Sequence, residues 1–248
     1  MGNLANLVYC EFLKLKRSKM FFISVLGAMV SPVMVFAGLI KAKITEPNKV
    51  ITYWDMLEQT NLYVLLLFGV IVYGVIAAYL FSREYTENTL KSVLTVPVSK
   101  GAFLTAKFFM LFIWMMILTA VAWLSTLLLS IIGNAAQFSA TVITQSLKEY
   151  FLGAFLLYFT MSPFVFITLW LKNLFTPIIA AATVVLGNVA LANEDLGVLF
   201  PWTSPHLIAS GDIEKYNYSI ETALVIILTV FFFGVFSSFA YFKKQDVK

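Results

Sequence analysis

AFLTAKFFMLFIWMMILTAVAWLSTLLLSII, residues 102–132, carries a single charged side chain, Lys107. About 20 apolar residues are enough to cross a hydrocarbon core roughly 30 Å thick. As one helix this run would extend about 46 Å at 1.5 Å per residue, so it must tilt or project beyond the bilayer. Similar runs lie outward from it on both sides, at residues 20–40, 62–82, 151–171, 174–193 and 221–242. Lipid offers the backbone no hydrogen-bond partners, and none of the runs alternates in polarity as a membrane barrel strand does, so helices are expected. The predicted fold is an all-α membrane protein, one transmembrane domain over residues 1–248 built as a six-helix bundle.

Composition agrees: 60% of the 248 residues are hydrophobic and 12% charged, against about 25% charged in soluble domains. The first run exceeds the 7–15 apolar residues of a signal peptide, despite the cleavage-like Val35-Phe36-Ala37 within it, and is read as a retained span. Basic residues favour the cytoplasmic side of a membrane. With the N-terminus inside, the inner segments hold Lys14, Lys16, Arg17, Lys19, Arg83, Lys91, Lys100, Lys107, Lys172, Lys243, Lys244 and Lys248, and the outer ones Lys41, Lys43, Lys49, Lys148 and Lys215. Both termini are therefore predicted cytoplasmic, in a multi-pass protein of the bacterial cell membrane. This bias accounts for the net charge of +4 and leaves nothing for a nucleic-acid partner to explain.

Ahead of the first span, Leu4, Leu7, Val8, Phe12 and Leu15 recur at helical spacing, with the charges gathered toward the end. Residues 1–19 are predicted to form an amphipathic helix at the inner interface, its basic side chains toward lipid headgroups; a positive flank that only fixes topology is the alternative reading. The single cysteine, Cys10, cannot form an intrachain disulfide and reads as a small apolar residue. Residues 193–220, with Pro201, Trp202, Pro205 and His206, read as short helices or a re-entrant turn at the outer interface.

The span cores contain no Asp, Glu, Lys, Arg or His, which disfavours an ion-coupled carrier, since such carriers often place ionisable groups along their path. With His206 the sole histidine, an H-E-x-x-H metal pair is impossible, and no Cys/His cluster can form. Glu194, Asp195, Asp212 and Glu214 read as a solvated acidic loop, and His206 as an interfacial loop residue. Ser125, Thr126, Ser162, Thr168, Thr183 and Asn188 read as helix-packing groups, and Pro32, Pro163 and Pro177 as kinks or helix starts. The phosphate-binding pattern G-x-x-x-x-G-K-[ST] is absent. Nothing in the chain points to catalysis, a cofactor or a metal.

Between the second and third spans lies REYTENTLKSVLTVPVSK, residues 83–100. Leu90, Val93, Leu94 and Pro97 give an apolar edge on a short helix that ends near proline. Glu87 and Lys91 form a favourable i,i+4 pair. Such a piece can dock in a groove of a soluble partner.

Arg83-Glu84, Thr89-Leu90, Leu94 and Pro97-Val98-Ser99-Lys100 resemble the region after the second span in permease subunits of type-2 ABC transporters, although Asn88 stands where that family usually has glycine. Glu11-Phe12-Leu13-Lys14-Leu15-Lys16-Arg17-Ser18 resembles the opening of the lantibiotic-immunity and bacitracin-resistance branch. The resemblance implies two permease subunits, alike or related, that bind two cytoplasmic ATPases, which hold ATP and magnesium. It makes residues 83–100 a cytoplasmic coupling helix in which Glu84, Glu87, Thr89, Leu90 and Leu94 meet the ATPase. The cargo it implies is a membrane-active peptide antibiotic or other amphipathic molecule, exported for self-protection or resistance. A lipid or polysaccharide precursor exporter of the same superfamily is the nearest alternative. An ion-coupled secondary carrier and an intramembrane enzyme come from other classes.

Overall fold

The apolar runs fold as helices, for in lipid only the chain itself can satisfy its amides. The computed structural model describes residues 4–46, 48, 50–89 and 99–244. The helices are α1 (Leu4–Lys16), α2 (Lys19–Thr45), α3 (Tyr53–Tyr63), α4 (Gly69–Thr86), α5 (Lys100–Ile132), α6 (Ala140–Phe159), α7 (Ser162–Leu171), α8 (Phe175–Leu191), α9 (Ser204–Ser210) and α10 (Ile220–Lys244). A π-helical turn, Val64–Phe68, joins α3 to α4, and 3-10 turns at Asp195–Leu199 and Asp212–Lys215 flank α9. Among the described residues no strand forms; one isolated pairing of Thr52 with Ala136 ties the α2–α3 connection to the α5–α6 connection.

Among the described residues, five helical stretches are long and apolar enough to cross a membrane: Lys19–Thr45, Tyr53–Thr86, Lys100–Ile132, Ala140–Leu171 and Ile220–Lys244. The other expected span is α8, with 17 residues, about 25 Å long and shorter than the hydrocarbon core. Residues 102–132 do form one unbroken helix, α5.

Residues of α4 (Val70, Tyr73, Ile76, Ala77, Leu80 and Phe81) pack at the centre of the core against Leu111, Trp114 and Leu118 of α5 and Phe164 of α7. Aromatic side chains such as Phe22 of α2 and Phe232, Phe233 and Phe236 of α10 instead point outward, as lipid-facing residues of a bundle do. Pro32 lies inside α2, Pro163 at the start of α7 and Pro177 in the first turn of α8.

Two cross-helix contacts rest on the polar residues expected to pack helices. Ser162 Oγ donates to the backbone carbonyls of Val230 and Phe231 at 3.2 and 3.1 Å. A Cβ at Gly234 would stand 2.4 Å from that hydroxyl, so α7 and α10 approach closely because neither residue is large. The π turn displaces carbonyls from the regular ladder, and Asn188 Nδ2 donates to one of them, Leu66 O, at 2.7 Å. Thr203 in turn donates to Asn188 Oδ1 at 3.1 Å. Ser125, Thr126, Thr168 and Thr183 bond carbonyls of their own helices.

His206 departs from the expected interfacial loop position. It is 6% exposed on α9, because that helix packs against α6 while Trp202 Nε1 donates to Thr160 O at 3.1 Å. Burial lowers the imidazole pKa to about 4, against an opposing pull from Asp212. Glu194 and Asp195 are exposed, with Asp195 Oδ2 accepting from Asn217 at 2.6 Å.

Candidate functional site

The segment expected to couple this chain to a partner begins where α4 ends. Thr86 is the last helical residue, and Asn88 has φ 54°. The Thr89 amide donates to Glu84 O at 3.0 Å and the Asn88 amide to Tyr85 O at 3.3 Å. These two bonds and the left-handed residue between them make a Schellman cap. Glycine and asparagine are the residues that enter this backbone region readily, so Asn88 meets the same geometric demand as the glycine usual in the resembled pattern.

Glu87 is half exposed and pairs with Arg83 Nε at 2.9 Å. Its expected partner, Lys91, lies outside the described residues, as do Leu90 and Leu94. Thr89 is partly buried. Glu84, expected at the ATPase contact, is 2% exposed and enclosed within this chain.

Glu84 belongs to a cluster of four charges. Its Oε2 lies 2.7 Å from Lys107 Nζ and its Oε1 lies 3.3 Å from Lys14 Nζ. Glu11 completes the ring, with Oε1 2.5 Å from Lys14 and Oε2 3.2 Å from Lys107. Each carboxylate thus bridges both ammonium groups. Lys107 uses its third proton on the Leu80 carbonyl, and its nitrogen stands 5.1 Å from the Phe103 ring centroid and 5.9 Å from that of Phe81.

The cluster joins three elements: Glu11 and Lys14 on α1, Glu84 on α4 and Lys107 on α5. Glu11 is 3% exposed and Lys107 2%; of the basic residues at the N-terminal end, Lys14 turns into this cluster while Lys16, Arg17 and Lys19 stay exposed. Desolvating four charges is costly, and the structure offsets that cost by pairing them and filling their hydrogen bonds. Burial would raise the Glu11 pKa, but Lys107 and Lys14 more than offset it and hold the carboxyl below its ordinary value. Burial likewise works against the charge of Lys14, and Glu11 with Glu84 overcomes it, leaving that pKa raised.

The two acidic and two basic side chains of the cluster balance in formal charge. The arrangement pins α1 to the ends of α4 and α5 that flank residues 87–99. Chemically it is a brace: among the described residues no group of three or more His, Cys, Asp or Glu is placed to hold a metal.

Sequence reasoning singled out Glu84 but not its partners Glu11, Lys14 and Lys107. Two signals were present: Glu11 is the sole acid before residue 46, and Lys107 interrupts an otherwise uncharged run.

Beyond the cluster, Lys172, in the left-handed cap of α7, brings its ammonium 5.8 Å from the Tyr85 ring centroid. That contact links the α7–α8 connection to the end of α4.

The family model described as ABC-2 family transporter protein matches residues 7–188, a stretch that contains the whole cluster. The bacitracin transport permease protein BCRB of Bacillus licheniformis is 37% identical to the chain over 201 residues, covering 81% of this chain and 96% of that protein.

Proposed function

The chain belongs to the ABC-2 family of transporter proteins, and from that premise we propose that it is the membrane subunit of an ATP-driven exporter that removes a peptide antibiotic or similar amphipathic molecule from the membrane. It is a permease and a multi-pass membrane protein. The observation that carries the substrate class is its 37% identity, over 81% of this chain and 96% of the relative, to a bacitracin transport permease. In this reading two copies of the chain, or this chain and a related one, form the path. Two separate cytoplasmic ATPases bind ATP and magnesium.

Residues 83–100 serve as the contact through which the ATPases act, with both termini on the same cytoplasmic side. Glu87, Thr89, Leu90 and Leu94 are proposed to meet the ATPase. The burial of Glu84 supports a different part for that residue: it positions the contact through Lys107 and Lys14 instead of touching the partner. ATP binding can shift the bundle only by favouring one arrangement of the helices over another, and a stiff tie between α1, α4 and α5 makes them respond together.

The test is to purify the chain with the ABC ATPases of its own cell and measure ATP hydrolysis as peptide antibiotics are added. A stable complex stimulated by such a peptide is expected. Failure to associate with any ATPase would overturn the assignment, and stimulation only by a lipid-linked saccharide would shift the cargo to the alternative class.

A further inference from the structure

The Gly69 amide donates to Val64 O and closes the π turn, Val64–Phe68, that joins α3 to α4. A regular α-helix bonds four residues back and this turn five, so it holds one residue more than a continuous helix would. The geometry leaves no space for a side chain at its end. A Cβ on Gly69 would stand 2.1 Å from Val64 O, and the next nearest atoms also belong to Val64. Leu66 O, in the same turn, is held by Asn188, which Thr203 holds in turn.

That one residue sets which face α3 buries. Closing the turn to regular helix against a fixed α4 would advance α3 by about 1.5 Å and turn it by about 100°, so each residue would enter the place of the one before it. Trp54 would replace Tyr53, Leu57 would replace Met56 and Leu62 would replace Asn61, in places 8%, 2% and 2% exposed. All three incoming side chains are apolar, and the last relieves a misfit, for Asn61 Oδ1 is buried without a hydrogen-bond partner. Asn61 would replace Thr60, polar for polar. One exchange opposes the shift: Glu58, exposed in the present register, would take the fully buried place of Leu57, and an unpaired carboxylate there is costly. Each register therefore carries its own polar misfit on an otherwise apolar face.

We propose that α3 has two registers on α4, with the π turn as the switch between them, Asn188 as the latch of the present register and Glu58 as the barrier to the other. α4 stays in its brace with α1 and α5 while α3 turns. Thr203 lies just ahead of α9, so displacement of that fold-back frees the latch. The device requires nothing of the transport reading, only this helix and its neighbours.

Melting of the chain in detergent tests the coupling that two registers impose. Gly69→Ala, whose methyl group excludes the π turn, should lower the melting temperature sharply because it drives Glu58 inward. Glu58→Leu should restore most of that loss, although the two positions stand about 16 Å apart along the helix, beyond contact. Gln59→Leu, exposed in both registers, should restore none. Additive effects of Gly69→Ala and Glu58→Leu would overturn the proposal, and so would equal rescue by Gln59→Leu.

Thiol labelling in a Cys10→Ser background reads the register itself. Thr60 is fully buried and Leu62 is 36% exposed; the shift would carry Thr60 to the exposed place of Gln59 and Leu62 to the buried place of Asn61. With Gly69→Ala/Glu58→Leu present, N-ethylmaleimide should label Thr60→Cys about tenfold faster and Leu62→Cys about tenfold slower. Asn188→Leu/Glu58→Leu, which keeps Gly69, should move both rates in the same directions. Unfolding raises both rates together, so opposite changes identify the shift. Rates that rise together or stay unchanged would overturn it.

Discussion

Lys107 is the residue on which the candidate site turns, because its three protons are shared among Glu11, Glu84 and the Leu80 carbonyl. Replacing it with methionine leaves two buried carboxylates on one ammonium, which should cost about 3–5 kcal/mol and show as a large fall in melting temperature in detergent. Adding Glu84→Gln to Lys107→Met removes one charge of each sign, so the double variant should recover part of the loss. Additive losses would show that the two side chains do not interact.

At Asn88 the left-handed backbone makes a different demand. Asn88→Gly should be tolerated, whereas Asn88→Val should destabilise the end of α4 by about 1–2 kcal/mol, measurable by the same melting assay.

His206 gives a pH dependence. Its folded pKa, about 4, lies below the ordinary value of about 6.5, so between those values the unfolded chain binds the extra proton. Stability should therefore be fully present above pH 6.5 and fall by on the order of 3 kcal/mol as pH drops toward 4. The His206→Phe variant should lose this part of the slope. Glu11 acts with the same sign from its own lowered pKa, and its contribution also fades on acidification.

Between helices, α7 and α10 meet across Ser162 and Gly234. Gly234 faces Ser162 so closely that a Cβ would stand 2.6 Å from the Ser162 backbone carbon, a contact no side-chain rotation relieves. Gly234→Leu should separate the two helices and lower thermal stability more than the same change at Gly38, where a Cβ meets nothing within 4 Å. Coupling belongs to this scale too. Leu90→Asp should weaken ATPase association while leaving melting temperature and membrane insertion intact. Glu84→Ala should weaken association and melting temperature together, since it removes a brace; a change in association alone would make Glu84 a direct contact after all.

Helix positions and types were legible in the sequence because apolar run length is a local property. The apolar stretch at residues 102–132 gave α5 within two residues at its start. What local pattern could not reveal was the π turn or the shortness of α8, both set by neighbours such as Asn188 and the fold-back at residues 192–204.

For the molecule as a whole, Cys10 supplies a reporter of the side of the membrane on which the N-terminus lies. It is the single cysteine and is exposed on α1. A membrane-impermeant maleimide should label it in inside-out vesicles and not in intact cells; the reverse would place the N-terminus, and with it the charge cluster, outside.

The sequence by itself determined the class: long apolar runs with scarce charge have no stable state except helices in a bilayer, and the asymmetry of its lysines and arginines sets an expected orientation. The segment motifs pointed to the family to which the chain belongs. Tertiary structure alone decided that Glu11, Lys14, Glu84 and Lys107 form one neutral ring. Those residues lie as many as 96 positions apart, and their pairing depends on the approach of α1, α4 and α5. A charge in a chain carries no mark of its partner, and only the geometry of packed helices settles whether it meets water, lipid or an opposite charge.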